Sequence, residues 1–162
     1  MKWLNSLLFT LLLSLSFWGC NEKNSTDMRK VHWDRDMCER CKMIVSERHY
    51  AVQLIDPQTN KSYMFDDIGC AIIWFDEEKL DWFTHATVWI TDAKTGEWIN
   101  ARTAEYTIGN ITPMGYGLSA YEAKNFPNGK TALNFEEATK IVIDAEAAYN
   151  LHANQAHKSE TK

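Results

Sequence analysis

Residues 50–78 specify the architecture and read YAVQLIDPQTNKSYMFDDIGCAIIWFDEE. Apolar side chains alternate along residues 50–55, which predicts a β-strand. Residues 56–60, DPQTN, carry the residue types of a tight turn, and residues 61–65 can return as the partner strand. This part of the sequence therefore predicts a β-hairpin.

A helix is predicted directly after the hairpin. Its apolar residues recur at spacings of three and four from Ile68 to Phe75, as on one face of an α-helix. Asp66 or Asp67 stands where an N-cap is required. Further strands are predicted at residues 87–91 and 97–99, joined by the turn at 93–96. The chain up to this point predicts a strand-strand-helix unit with further strands.

The second half of the chain repeats this order loosely. Extended segments are predicted at residues 105–108 and 115–122, and a long helix follows them. Asn134 and Glu137 have the spacing of a capping box at the start of that helix. We therefore predict an α+β domain of two strand-strand-helix halves, without sequence identity between the halves.

The N-terminus has the pattern of an export signal. A lysine precedes the apolar run at residues 3–18, and Cys20 follows a small residue. The run is shorter than the roughly 20 residues that span a bilayer. We predict a lipoprotein signal peptide at residues 1–19 and lipidation of Cys20. An uncleaved anchor and ordinary secretion stay open, because residues 17–18 are bulkier than usual before such a cysteine.

Composition limits the remaining possibilities. The chain has 162 residues, is 45% hydrophobic and carries a formal net charge of -5. It can therefore bury a core, and it lacks the excess of basic residues that a sequence-independent nucleic-acid binder needs. We predict a flexible tether at residues 20–36, a folded domain at 37–149 and a polar C-terminal tail at 150–162.

Besides Cys20, whose thiol is used up by lipidation, the chain has three cysteines, an odd number for an exported protein. Cys38, Cys41 and Met43 place two thiols and a thioether within six positions. Such ligands select soft ions, Cu(I) above all. Met114 lies in a turn sequence, TPMGYG, and is a second thioether candidate, although methionine more often fills a core. Cys70, in the first turn of the predicted helix, suits either a buried structural cysteine or a thiolate.

The C-x-x-C pair alone also suits a disulfide, a redox pair or half of a zinc site. Residues 42–46 after Cys41 predict a strand, whereas a thioredoxin-like motif opens a helix. Zinc would need two more ligands, and no second paired spacing supplies them. The candidates are scattered: Cys70, His32, His49 and His85. Lys42 follows Cys41 where a c-type haem motif has histidine, which excludes that cofactor.

Several blocks taken together resemble the NosL family of copper-binding lipoproteins. They are Cys20, C-x-x-C-x-M-I at 38–44, Y-A-x-Q at 50–53, F-D-D-I-G-C at 65–70, W-x-N-A-x-x-A-x-Y at 98–106 and P-M-G-Y-G at 113–117. The resemblance implies two ββαβ halves, about 37–101 and 102–149, related to part of organomercurial lyase. It also implies Cu(I) ligation by Cys41, Met43 and Met114, with Cys38 next and Cys70 last. Lys42 stands where family members commonly have glycine.

The resemblance further implies a function without chemical turnover. A protein of this kind is a periplasm-facing chaperone that supplies copper for the maturation of nitrous oxide reductase and docks on a membrane ABC-type complex. Asn21 after the lipidated cysteine differs from the aspartate retention signal, which favours the outer membrane. The competing hypotheses are a thiol-disulfide oxidoreductase or thiol-dependent lyase, and a zinc-binding protein that uses Cys38 and Cys41.

Overall fold

The computed structural model describes residues 28–160, so the predicted signal peptide and the lipidation site Cys20 lie outside the described residues. The fold is α+β, as predicted. Its strands are β1 Val52–Ile55, β2 Ser62–Phe65, β3 Thr87–Thr91, β4 Trp98–Asn100, β5 Glu105–Thr107 and β6 Ser119–Tyr121. Its α-helices are α1 Ile68–Glu77 and α2 Phe135–Glu160, and short 3-10 helices occupy Phe83–His85 and Ala123–Asn125.

Four strands form the main sheet in the order β2-β1-β3-β4, and all neighbours are antiparallel. The predicted hairpin is present: β1 and β2 pair so that Val52 faces Phe65. Asp56 fixes the turn between them by accepting hydrogen bonds from the Gln58 backbone N–H at 2.8 Å and the Thr59 hydroxyl at 2.6 Å. These side-chain bonds satisfy the turn backbone and set the hairpin register.

Helix α1 forms the centre of the core. Asp67 is its N-cap and accepts a hydrogen bond from the Gly69 N–H at 2.9 Å. All residues from Ile68 to Phe75 are buried, because α1 contacts the β1–β2 hairpin on one side and α2 on another. An aromatic cluster closes one end, with ring centroids of Phe75 and Trp82 4.5 Å apart. The apolar spacing that predicted the helix thus reflects burial on nearly every face.

Helix α2 begins with the predicted capping box. The Asn134 N–H donates to Glu137 Oε2 at 2.8 Å, and the Glu137 N–H donates back to Asn134 Oδ1 at 2.9 Å. The helix runs on to Glu160, so residues 150–160 of the predicted polar tail are helical. No helix within residues 28–160 has the combination of length and apolarity needed to cross a membrane.

Two segments differ from the sequence-based expectation. Residues 28–36, assigned to the tether, pack on the domain: the Arg29 N–H donates to Gln53 Oε1 at 2.8 Å, and Trp33 stacks on Trp98. Residues 42–46, expected as a strand, contribute only an isolated bridge from Ile44 to Met37. Lys42 itself has a φ of 60° and lies in a tight turn, so the expected strand cannot begin at that residue.

The two halves are less alike than expected. The first contributes ββα followed by the two strands β3 and β4, which join the same sheet. The second contributes the two-stranded sheet β5–β6 and then α2, with no strand after that helix among the described residues. The α+β class is therefore established, whereas the ββαβ plan for each half stays a prediction.

Asp92 joins the two sheets, and its loss is expected to destabilise the fold. One carboxylate oxygen accepts from the Lys94 N–H at 2.8 Å, and the other accepts from the Glu122 N–H at 2.8 Å and Asn125 Nδ2 at 2.9 Å. Although burial raises the pKa of Asp92, these bonds bring it below its usual value. Asp92→Asn puts an NH₂ group against donors, which should lower the free energy of unfolding by about 2 kcal/mol.

Urea denaturation measures that loss. Lys94→Ala, at an exposed position of the same turn, is the matched control and should change stability by less than about 0.5 kcal/mol. Equal effects of the two substitutions would show that Asp92 does not hold the sheets together.

Candidate metal centre

Three cysteines and one aspartate converge at one end of α1. A sulfur from each of Cys38, Cys41 and Cys70 and a carboxylate oxygen of Asp66 all lie within 4.8 Å of one another. Cys38 and Cys70 have no exposed surface, Asp66 is 2% exposed, and Cys41 is partly exposed. The donors come from two segments that are far apart in sequence, so the fold assembles the cluster.

A tight loop brings the first two cysteines to the cluster. The Cys38 N–H donates to the Met43 carbonyl at 2.8 Å, and the Lys42 N–H donates to the Cys38 carbonyl at 3.1 Å. The Glu39 N–H donates to the Met64 carbonyl at 2.9 Å, which fastens the loop to β2. Since β2 leads into α1, this bond places the Cys38–Cys41 loop beside Cys70.

Lys42 occupies a backbone conformation that favours glycine. Its φ of 60° lies in the left-handed region, where a side chain costs about 1–2 kcal/mol. Glycine would adopt this backbone conformation without strain, whereas Lys42 adopts it at a cost in stability. Lys42→Gly removes this strain but makes the unfolded chain more flexible, which offsets part of the gain. We therefore expect the free energy of unfolding to rise by about 1 kcal/mol.

Urea denaturation of the metal-free protein checks this prediction. Lys94→Gly is the control, because Lys94 is exposed and does not have a positive φ. It should lose stability through glycine's flexibility. A Lys42→Gly protein that is less stable than the parent would contradict the strain argument.

Two adjacent aspartates have different roles at the start of α1. Asp66 lies against the thiols, with Cys41 Sγ donating to its carboxylate oxygens at 3.5 and 3.6 Å. Asp67 caps α1 and also accepts from the Thr112 hydroxyl at 2.6 Å and the Met114 N–H at 3.2 Å. Burial raises the pKa of Asp67. The second aspartate thereby ties the loop at residues 112–117 to the helix end that carries Cys70.

The thiols differ in acidity because they hydrogen-bond to one another. The Cys70 thiol donates to the Cys38 sulfur and, with the N–H groups of Cys41 and Asp66, lowers the pKa of Cys38 to about 6. Burial raises the pKa of Cys41 to about 12, and the hydrogen bond to Cys38 raises the pKa of Cys70. Cys38 is therefore the most acidic of the three thiols, and a metal ion must displace the protons of the thiols that are still protonated.

The two methionines occupy different environments. Met43 follows the cysteine loop and is 51% exposed. Met114 is partly buried and packs against the core, and its N–H bond to Asp67 holds it near the end of α1. This backbone contact places Met114 beside the helix end that carries Cys70, whereas ligation of a metal by Met114 or Met43 stays a prediction.

Tyr116 locks the loop that carries Met114. Its ring covers Gly69, where a Cβ atom would meet the ring at 2.1 Å. Its hydroxyl accepts from Arg40 Nη1 at 2.8 Å and donates to Glu146 Oε2 at 2.8 Å. Arg40 also pairs with Glu77 at 2.9 Å, so one guanidinium connects the cysteine loop, both helices and the tyrosine.

The sequence indicated the three cysteines as candidate metal ligands, but it indicated Asp66 only as a candidate helix cap. The F-D-D-x-x-C spacing contains a usable signal, because Asp66 stands four residues before Cys70 and next to the true cap. The partnership of Arg40, Tyr116 and Glu146 has no such signal, since its members lie 76 and 30 residues apart. Such contacts depend on tertiary packing.

Comparisons with known proteins agree with the geometry at the level of the fold. No protein-family model matches the chain, and no curated protein matches it. The crystal structure of the copper chaperone NosL from Shewanella denitrificans is similar, with a TM-score of 0.50 and 18% sequence identity over 68% of this chain and 94% of that chain. The chain has a NosL-like fold. It also carries a cysteine and aspartate cluster that can hold a metal ion.

Proposed function

We propose that this protein is a Cu(I) chaperone that binds copper at Cys38, Cys41 and Cys70 with the help of methionine. The observation that carries the proposal is the convergence of the three sulfurs within 4.8 Å, in a fold shared with a copper chaperone. Thiolates and thioethers select soft ions, and Cu(I) is the soft ion that an exported protein of this kind would carry.

Exposure at the cluster suits delivery of the ion. Cys38 and Cys70 are fully buried, but Cys41 is partly exposed and Met43 is 51% exposed. An acceptor ligand can therefore approach from the side of Cys41 while the buried sulfurs still hold the ion. Ligand exchange through such mixed coordination needs no unfolding of the domain. The copper ion is a cargo here, and the protein carries out no chemical turnover.

We also propose that Cys20 is lipidated and holds the protein on the periplasmic side of the membrane, in the outer membrane. Copper would pass to nitrous oxide reductase through a membrane ABC-type maturation complex. Resemblance to the NosL family and the N-terminal sequence support these assignments. Cys20→Ser should move the chain from the membrane fraction to the soluble periplasm, and transfer of Cu(I) to metal-free nitrous oxide reductase tests the acceptor.

An anaerobic Cu(I) competition titration against a coloured chelator tests the function itself. The full-length chain in detergent is compared with Met114→Leu, which keeps the apolar volume, and with Cys41→Ser. We expect one tightly bound Cu(I) and weaker binding in both variants. If Met114→Leu binds as the parent does while Cys41→Ser does not, the thioether only packs. A redox function of the C-x-x-C pair or a zinc site would then be favoured.

A further inference from the structure

A cavity lies between the N-terminal part of α2 and the 3-10 helix Phe83–His85. Its volume is about 330 Å³, and its lining includes no member of the thiol cluster. The apolar side chains of Phe83, Phe135 and Ile143 form part of its wall, and Arg102 contributes a guanidinium group. Small-molecule sites have this form, with about 300–1,000 Å³ of mostly apolar space and a few polar groups that orient the ligand.

Arg102 carries a positive charge that no acidic side chain in the described part of the chain pairs with. It is half-buried, and its Nε and Nη2 groups donate to the backbone carbonyls of Phe83 and Ala86. These carbonyls orient the guanidinium but carry no net charge. Burial lowers the pKa of Arg102, which reflects the cost of keeping a charge away from water. The charge of Arg102 is therefore only partly compensated.

Two aromatic rings hold the guanidinium at the cavity. Arg102 Cζ lies 5.5 Å from the ring centroid of Phe83 and 5.1 Å from that of Phe135, within the range of a cation–π interaction. The two rings are themselves 5.9 Å apart. Because backbone carbonyls and rings fix the guanidinium in advance, little side-chain entropy is lost when an anion binds to it.

We propose that this cavity binds a small monocarboxylic acid with a compact apolar body. The carboxylate pairs with the planar guanidinium of Arg102, and the apolar body contacts Phe83, Phe135 and Ile143. An inorganic anion leaves the apolar wall in water, and an uncharged apolar compound leaves the guanidinium unpaired.

The other charged groups at the cavity agree with a single negative charge on the ligand. Lys140 and Glu136 line the cavity and are exposed. Lys140 already pairs with Asp144, so Arg102 is the cation that the ligand meets. Glu136 has no such partner among the described residues and repels a second negative charge. The site is therefore distinct from the metal centre in both position and ligand chemistry.

Titration of the full-length protein with phenylpropionate in a non-ionic detergent tests the proposal. Amide chemical shifts measured by NMR should change in a saturable way at residues 83–86 and 135–143. Phenylpropionamide has the same apolar body without the charge, and inorganic phosphate has charge without an apolar body. Both should bind at least about tenfold more weakly, because each lacks one of the two interactions. Equal binding of either compound, or saturable shifts confined to other residues, would overturn the proposal, as would the absence of binding.

Substitutions identify the cation that holds the carboxylate. Arg102→Gln should lower the affinity for phenylpropionate at least about tenfold, since a hydrogen bond between charged groups is lost. Lys140→Gln is the matched control and should stay within about threefold of the parent, because surface charges contribute little. Equal losses in the two variants would show that general positive charge, rather than Arg102, attracts the probe.

A second pair of variants leaves the backbone contacts of Arg102 intact, in case Arg102→Gln fails to fold. Ile143 lines the cavity and is 48% exposed. The carboxylate of Ile143→Glu should compete with the probe for Arg102 and lower its affinity at least about tenfold, whereas Ile143→Gln should lower it about threefold through lost apolar contact. Equal losses would overturn the charge pairing. Cu(I) affinity should be unchanged in both variants, so this inference and the chaperone function fail independently.

Discussion

Cys70→Ser should weaken Cu(I) binding by at least about 100-fold, more than the loss of an outer-shell contact usually causes. Cys70 has no exposed surface, and its sulfur lies within 4.8 Å of those of Cys38 and Cys41. A hydroxyl in its place offers a hard donor that Cu(I) binds poorly. It also replaces the thiol that hydrogen-bonds to Cys38. Anaerobic competition with a Cu(I) chelator measures the change.

Ala71→Ser is the matched control for this experiment. Ala71 is the next residue of α1 and is 1% exposed, so the variant introduces the same buried hydroxyl while all three thiols remain. It should lose stability but bind Cu(I) within a few-fold of the parent. If Cys70→Ser and Ala71→Ser bind Cu(I) equally well, Cys70 is a packing residue, and two sulfurs of the C-x-x-C loop form the site.

The sequence predicted those parts of the fold and of the site that depend on residues close together along the chain. The alternation along β1, the apolar spacing of α1 and the capping box of α2 each describe neighbours along the chain, and each is confirmed. Cys38 and Cys41 were recognisable from their spacing. Cys70, ranked last by resemblance, proves to be fully buried and a member of the cluster. Its placement follows from the packing of α1 on the hairpin, which spacing alone does not give.

Other features depended on information that a single sequence lacks. The strand expected at residues 42–46 is wrong: only a single bridge forms at Ile44, and Lys42 belongs to a tight turn with a positive φ. Lysine is not a residue type that indicates such a turn. The role of Asp66 beside Cys41 required the relative position of the loop and β2. The Arg40–Tyr116–Glu146 contacts join three distant segments. All of these are consequences of tertiary structure.

Gly69→Ala should lower the free energy of unfolding by about 3 kcal/mol, although alanine is normally the better helix residue by about 1 kcal/mol. The new Cβ would lie 2.1–2.2 Å from ring atoms of Tyr116, so the ring must move. Overpacking of this kind costs about 1–3 kcal/mol. Displacement of the ring also breaks the hydroxyl's bonds to Arg40 and Glu146, each worth about 1.5 kcal/mol or more with a charged partner.

A double-mutant cycle with Tyr116→Ala identifies the cause of that loss. Tyr116→Ala removes the ring and should itself be destabilising, because Arg40 and Glu146 lose their shared partner. In that background, however, Gly69→Ala meets no ring and should be neutral or slightly stabilising, as helix propensity alone predicts. We therefore expect a coupling of about 3 kcal/mol between the two sites in urea denaturation. Additive losses would mean that the glycine is required by the backbone of α1, and that Tyr116 is held over it by its hydroxyl contacts alone.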